Sequence, residues 1–427
     1  MRALDSLAAM KGQFGPAAAR SAANLLAHFT RARLRDPADL IRFHETVLFL
    51  RAYPQSPRVL RLADHILFSF PNRLGRVNRD VFEDPEVSGI AGTGLSTNFS
   101  YEIAKSLVHR HGRAISIDWE NYEHADRLGV VLSELVPQSR EDFGISAHPD
   151  ARRWFSSLSG GTRGGLRTLL DQTESRIYDL LEIPLRWELG DSAASRSRTR
   201  LPRALGRKIF YHHRPFLKRS EVSIEAEFAA PKIPVTRLSG PQAEKILDLI
   251  VGTSSVRYRE LYGFTHPDRA HVRHADLGRG MDFFFFGVAP NRRLIRDYHA
   301  GMYFKNGVPI GYVELLSKDG TMEVGFNLYY TFREAETAWL YARLLKIFRE
   351  RLGAKRFWID PYQIGHENDE ALDSGAFWFY RKLGFRSTSG EIAKLIEREE
   401  TRIAATPGYR TPPAILRRIA RAALIHD

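Results

Sequence analysis

Residues 322–385 constrain the fold more than any other stretch, because the hydrophobic period switches there from two to about 3.6 and back again. Met322-Glu-Val-Gly-Phe-Asn-Leu-Tyr329 alternates: Val324, Phe326 and Leu328 point one way, and Glu323, Gly325, Asn327 and Tyr329 the other. After Thr331–Ala338 an amphipathic run (Trp339, Leu340, Leu344, Leu345, Ile347, Phe348, Leu352) closes at Gly353, the expected end of a helix. Arg356-Phe-Trp-Ile-Asp360 reads as a second strand stopped by Pro361. A polar loop, Tyr362 to Asp373, then leads to a helix over Ser374–Leu383 and a turn at Gly384-Phe385. Such a β-α-β unit sets a helix N-terminus at the carboxyl edge of a sheet, where N–H groups and the helix dipole favour an anion. The first strand carries a carboxylate, a glycine and an amide on one face, which leaves space and hydrogen-bonding capacity for a ligand.

Upstream, Tyr298–Phe304 and Val308–Leu316 are expected to form a hairpin across Lys305-Asn-Gly307, and a second hairpin turns at Lys318-Asp-Gly320. Pro231–Leu238 reads as an opening strand, followed by a helix from Pro241 and another around Tyr258–Tyr262. An antiparallel meander feeding a β-α-β unit predicts an α/β (α+β) fold, a mixed sheet with helices on its faces, over residues 231–390.

Two motifs in this region resemble the GNAT superfamily of acyl-CoA-dependent N-acyltransferases. Ala376-Phe-Trp-Phe-Tyr380-Arg-Lys-Leu-Gly384-Phe385 is similar to the family's A-x-x-x-Y-x-K-x-G-F helix and turn. Arg333-Glu-Ala-Glu336-Thr-Ala338 is similar to its pyrophosphate loop at Arg333 and Ala338, but has Glu336 where the family has glycine. Asp373 likewise stands where asparagine is usual. The resemblance implies a co-substrate, acetyl-CoA or another acyl-CoA, held by Phe326, Asn327, Leu328, Arg333, Thr337 and Ala338. It implies Tyr380 as general acid towards the leaving thiolate. Glu323 is the first choice of base, with Glu314 behind it and His366 as a loop alternative. The acceptor would be a small-molecule or peptide amine. A glutamate near two phosphates keeps open a second reading, a non-catalytic or altered-ligand protein of the same fold.

Before residue 231 the chain reads differently. Residues 1–190 are expected to be largely helical, with Asp36-Pro37 and Ser56-Pro57 as a cap and first-turn proline. Val87–Gly94 reads as a strand entering a glycine-rich loop. With the helix Tyr101–His111 and the strand Ala114–Asp118 it suggests a small βαβ unit over 85–120. Gly89, Gly92 and Gly94 with Asp118 leave a third reading, a nucleotide- or S-adenosylmethionine-using enzyme. Residues 150–190 read as helical but interrupted at Ser159–Gly165. The acid-free basic run within 191–230 (Arg196, Arg198, Arg200, Arg203, Arg207, Lys208, Arg214, Lys218, Arg219) reads as an exposed linker. Residues 391–427 read as a basic helical tail packed on the body of the protein.

Composition narrows the functions. A formal net charge of +13 invites a nucleic-acid reading, yet no recognised binding motif accompanies it. With no cysteine there is no thiolate nucleophile and no cysteine-based metal site. His266–Asp276 gathers three histidines and two aspartates, the most metal-like cluster in the chain, but a polar loop near a domain entrance produces such clusters without a ligand and no metal is expected there. No apolar run has the length of a membrane span and no secretory signal is read, so the cytoplasm is the expected location.

Overall fold

The computed structural model describes all residues except 1, 76, 136–150, 158–160, 203, 204, 206 and 207. Helices and mixed sheets make an α/β protein, and the chain divides into two compact units, residues 1–202 with 244–265 and residues 203–243 with 266–427. The helix Gly240–Ser255, expected in the C-terminal domain, therefore falls mostly in the first unit.

In the first unit the helices begin where the punctuation says. Asp36 accepts from the Asp39 N–H ahead of Pro37–Ala52, and Ser56 accepts from the Val59 N–H ahead of Pro57–Phe68. Three strands, β1 (Gly94–Asn98), β2 (Ile115–Ile117) and β3 (Pro184–Glu188), form a sheet in the order β1-β3-β2, with β3 antiparallel to both neighbours. Gly161–Gln172 is a helix, so the 161–165 part of the expected interruption is helical, while 159 and 160 lie outside the described residues.

Within 85–120 the order is strand, helix (Tyr101–His111), strand, with β3 between the two strands, but the glycine-rich segment moves the first strand. The strand follows it rather than preceding it, because Gly89 and Gly92 have φ of 90° and 87°, which no regular strand accommodates. A Cβ on Gly89 would lie 2.7 Å from the Val256 carbonyl oxygen, and one on Gly92 would lie 2.8 Å from Pro71 Cα. These glycines serve close packing. Asp118 is buried and accepts hydrogen bonds from Ser96 Oγ (2.6 Å) and Asn121 Nδ2 (2.9 Å), so its carboxylate is occupied by its own surroundings.

The basic run departs from an exposed linker over its first part. Arg196 is buried, pairs with Glu45 at 2.8 Å and donates to the carbonyls of Glu86 and Ser88. Arg200 donates to Asp64, and burial, with the neighbouring Arg51, pushes its guanidinium down to about 10. Arg203 and Arg207 lie outside the described residues. Near Arg196, His44 Nε2 lies 2.8 Å from Ser197 Oγ, and His44 Nδ1 lies 2.9 Å from Glu45. This has the connectivity of a nucleophile–base–acid relay, but His44 and Ser197 are wholly buried and Ser197 Oγ accepts the Ala91 N–H. The network is structural. Removing one partner of a buried ion pair strands the other charge. Arg196→Met is accordingly expected to cost about 3–5 kcal/mol in urea unfolding; a cost below about 1 kcal/mol would contradict the assignment.

The second unit is built on one nine-stranded sheet. Its strands are β4 (Val235–Arg237), β5 (Arg273–Gly278), β6 (Met281–Gly287), β7 (Asp297–Lys305), β8 (Val308–Lys318), β9 (Thr321–Leu328), β10 (Arg356–Ile359), β11 (Arg386–Ser387) and β12 (Leu424–His426), in the order β11-β12-β10-β9-β8-β7-β6-β5-β4. β4 to β9 are antiparallel, and β10 lies parallel to β9 after the crossover helix Thr337–Leu352. The turns Asn306-Gly307 and Asp319-Gly320 have positive φ at both residues, matching the twist of the hairpins they close. β6 is the run Met-Asp-Phe-Phe-Phe-Phe-Gly, buried on both faces. The chain end is not purely helical: beyond the helices Gly390–Ala405 and Pro413–Ile419 it returns as β12, between β10 and β11.

Candidate active-site cleft

The cleft comes from a ladder that stops. β9 and β10 pair over Thr321–Arg356, Met322–Phe357 and Glu323–Trp358, after which β10 ends within one residue while β9 continues to Leu328. On its other side β9 stays paired with β8 through Leu328, and the Tyr329 N–H donates to the Ile310 carbonyl at 3.0 Å. Backbone direction alternates along a strand, so the Phe326 and Leu328 N–H groups turn away from β8 towards the gap. The gap is a cleft of about 490 Å³.

Its lining brings together Glu323, Phe326, Asn327, Leu328, Arg333, Thr337 and Tyr380, all singled out in the sequence. Ala338, by contrast, is buried in the first turn of the helix and His366 is half-buried; neither is among the lining residues. Tyr298, Gln363, Asn368 and Glu370 join the cleft without any local signal, because loop and hairpin geometry carry them there.

Each ionisable group has a definite environment. Tyr380 is 4% exposed, and burial pushes its phenol above the ordinary value, so it is protonated at neutral pH. Glu314 faces Gly325 directly across the β8–β9 ladder. Burial raises its carboxyl above the usual range, opposed by the hydrogen bond it accepts from the Tyr298 hydroxyl. A Cβ on Gly325 would sit 3.4 Å from the Glu314 carbonyl oxygen, in ordinary contact, so the missing side chain keeps this part of the cleft open. Glu323 is held in an ion pair with Arg296 at 2.7 Å.

The altered loop residue is accounted for by the sheet. Glu336 is 1% exposed and accepts from Arg279 and from the Leu217 N–H, with Lys305 Nζ at 3.8 Å. Burial lowers Lys305 to about 7, against the pull of Glu336 and with the push of Arg279. Arg333 bridges from the loop to the opposite wall: Nε donates to the Leu328 carbonyl at 3.3 Å, and the guanidinium pairs with Glu370 at 2.6 Å.

The histidine-rich segment upstream does not converge. His271 bonds to Asp268 at 2.7 Å and His274 to Asp282 at 2.8 Å, and among the described residues no three His, Asp or Glu side chains are grouped to hold a metal ion. No helix among those residues is long and apolar enough to cross a membrane. Comparisons with protein-family models, with curated proteins and with solved structures give no match.

Proposed function

We propose that the second unit is an N-acyltransferase of GNAT type that moves an acyl group from acyl-CoA to an amine. The observation that carries this reading is the interrupted β9–β10 ladder: it opens a cleft with Tyr380 on one wall and Glu314 on the other. The Phe326 and Leu328 N–H groups offer donors to a thioester carbonyl, and their fixed direction means no reorganisation as its oxygen gains charge. Arg333, Thr337 and the positive end of the dipole of the helix Thr337–Leu352 suit phosphate oxygens. Glu336 does not oppose that, because its charge is spent on Arg279 and Lys305.

In this scheme Glu314, rather than the first-choice Glu323, takes the amine proton. Glu323 is engaged by Arg296, whereas Glu314 is half-buried, has its carboxyl raised by desolvation and accepts from the Tyr298 hydroxyl in the cleft. The amine nitrogen attacks the thioester carbonyl carbon; the C–N bond forms as the C–S bond breaks. The amine proton goes to the Glu314 carboxylate, and Tyr380 gives its phenolic proton to the departing sulfur.

Acetyl-CoA at 100 times its dissociation constant is expected to stabilise the protein by about 2.7 kcal/mol. Gly325→Leu, whose side chain would enter the gap, is expected to abolish that gain in a thermal melt. A second reading, a binding module that has lost catalysis, draws on the Arg333–Glu370 pair, which occupies the loop's arginine. No stabilisation by any acyl-CoA would favour it.

A further inference from the structure

The connection between β6 and β7 exposes side chains that a folded chain usually hides. Gly287 pairs with His299, so residues 289–296 leave the sheet and return on the adjacent strand. Leu294 and Ile295 lie in this loop, and Ile295, at 95% exposure, is the most exposed large hydrophobic side chain among the described residues. Arginines flank the pair: Arg292, Arg293 and Arg296 are all exposed. Arg296 is tied to Glu323, whereas among the described residues no carboxylate pairs with Arg293.

The strand register brings further cations to the same end of the sheet. β4 ends at Arg237, opposite Arg273 at the start of β5, and Arg273 lines a cavity of about 280 Å³ with Arg293. β8 ends at Lys318, and Arg356 opens β10 opposite Thr321 at the start of β9. Of the acids at this end, Asp268 is held by His271, Glu323 by Arg296, and Asp427 by Arg356 and Arg386; Asp297 and Asp319 are the others. An aliphatic tip set among arginines matches a surface with an anionic border and an apolar interior. Nucleic acid would use the arginines but not the aliphatic pair, since bases stack on aromatic rings and residues 289–296 contain none. A second copy placed tip to tip would bury far less than the roughly 800 Å² per partner of a stable interface and would set like charges face to face.

We propose that this end of the second unit docks on an anionic phospholipid surface, with Leu294 and Ile295 entering the acyl boundary while Arg292, Arg293 and Arg296 meet lipid phosphates. The assignment is independent of the acyl-transfer reading. It leaves the Arg333–Ala338 loop in water, because Leu328 lies at the opposite end of β9 from Thr321, roughly 23 Å away at ~3.3 Å per residue.

The test uses the full chain with vesicles of phosphatidylcholine alone and of phosphatidylcholine mixed with phosphatidylglycerol. Sedimentation is expected to show partition onto the mixed vesicles at least about tenfold stronger, since each basic side chain near an anionic surface contributes about fivefold. Leu294→Ser/Ile295→Ser changes no charge and should keep the wild-type melting temperature, yet its partition should fall by about tenfold or more. That loss separates insertion of the tip from general attraction of a basic protein. Arg293→Glu should lower partition onto the mixed vesicles by about 25-fold, two units of charge at about fivefold each. The chain has no cysteine, so Ile295→Cys accepts a single environment-sensitive label, whose emission should shift to the blue on the mixed vesicles. No partition by wild type, equal partition by the double serine variant, or an unshifted label would overturn the proposal. A DNA oligonucleotide bound by wild type and lost in Arg293→Glu, without vesicle binding, would assign the arginines to nucleic acid instead. No acyl-CoA enters these assays, so their failure would leave the transferase reading untouched.

Discussion

Tyr380→Phe is expected to lower kcat for acyl transfer by about 10²–10⁴-fold, the usual contribution of a positioned acid, with acetyl-CoA affinity little changed. The substitution removes one oxygen and keeps the ring that packs against Tyr341 (5.5 Å between centroids) and Phe385 (5.7 Å), so the fold should survive. A phenol raised by burial keeps its proton until a thiolate needs it. Glu314→Gln is expected to cause a comparable fall through the other wall of the cleft. The pH profile separates the two. Burial lifts the Glu314 carboxyl above the ordinary carboxylate range, and a base works only when ionised. The rate with wild type should therefore rise with pH through that elevated value and be lost below it, and this acid limb should vanish in Glu314→Gln. A Tyr380→Phe protein within threefold of wild type, measured by thiol release, would remove the phenol from the mechanism.

Glu336→Gly, which introduces the residue usual in the GNAT loop that this one resembles, should destabilise the second unit by about 3–5 kcal/mol rather than improve it as a CoA binder. The carboxylate is sealed beside Arg279 and Lys305, and its loss takes the counter-charge from Lys305, which is wholly buried and lies with Arg279 beside it. At roughly 2–4 °C per kcal/mol for a unit of this size, the melting temperature should drop by about 10 °C. Differential scanning calorimetry gives that number, and acetyl-CoA titration gives the second half of the expectation, an affinity no higher than wild type. A variant as stable as wild type that binds acetyl-CoA more tightly would mean that Glu336 guards the phosphate site instead of bracing the loop.

The contrast between Glu336 and Tyr380 shows how far residue type alone carries an argument. The Tyr380 motif sits on a helix whose spacing can be read locally, so its burial beside the cleft follows from the pattern. For Glu336 the decisive partners are distant: Arg279 lies in the β5–β6 turn and Lys305 at the end of β7. A carboxylate judged by its neighbours in sequence looks like a hazard to phosphate; judged by its neighbours in space it is a counter-ion. In the proposed scheme Glu314 takes the place of Glu323 for the same reason, since Arg296 arrives from the segment before β7. β12 escaped notice because three residues after a helix carry little periodicity. β6 escaped because four consecutive phenylalanines fit a buried strand as well as a buried helix segment.

Local pattern was sufficient for the elements whose signal lies within a dozen residues. These are the capped helices at Asp36 and Ser56, both hairpins at Asn306-Gly307 and Asp319-Gly320, and the alternation of β9 followed by the amphipathic helix. Hydrogen bonds between near neighbours and a repeating apolar face determine such elements. Which charges are free is another matter. Arg196 turned from an expected solvated linker residue into a buried partner of Glu45, and Gly89 from a loop signal into a packing contact with Val256. Charge pairing and close packing depend on groups more than a hundred residues apart, and only the folded chain brings them within a few ångströms.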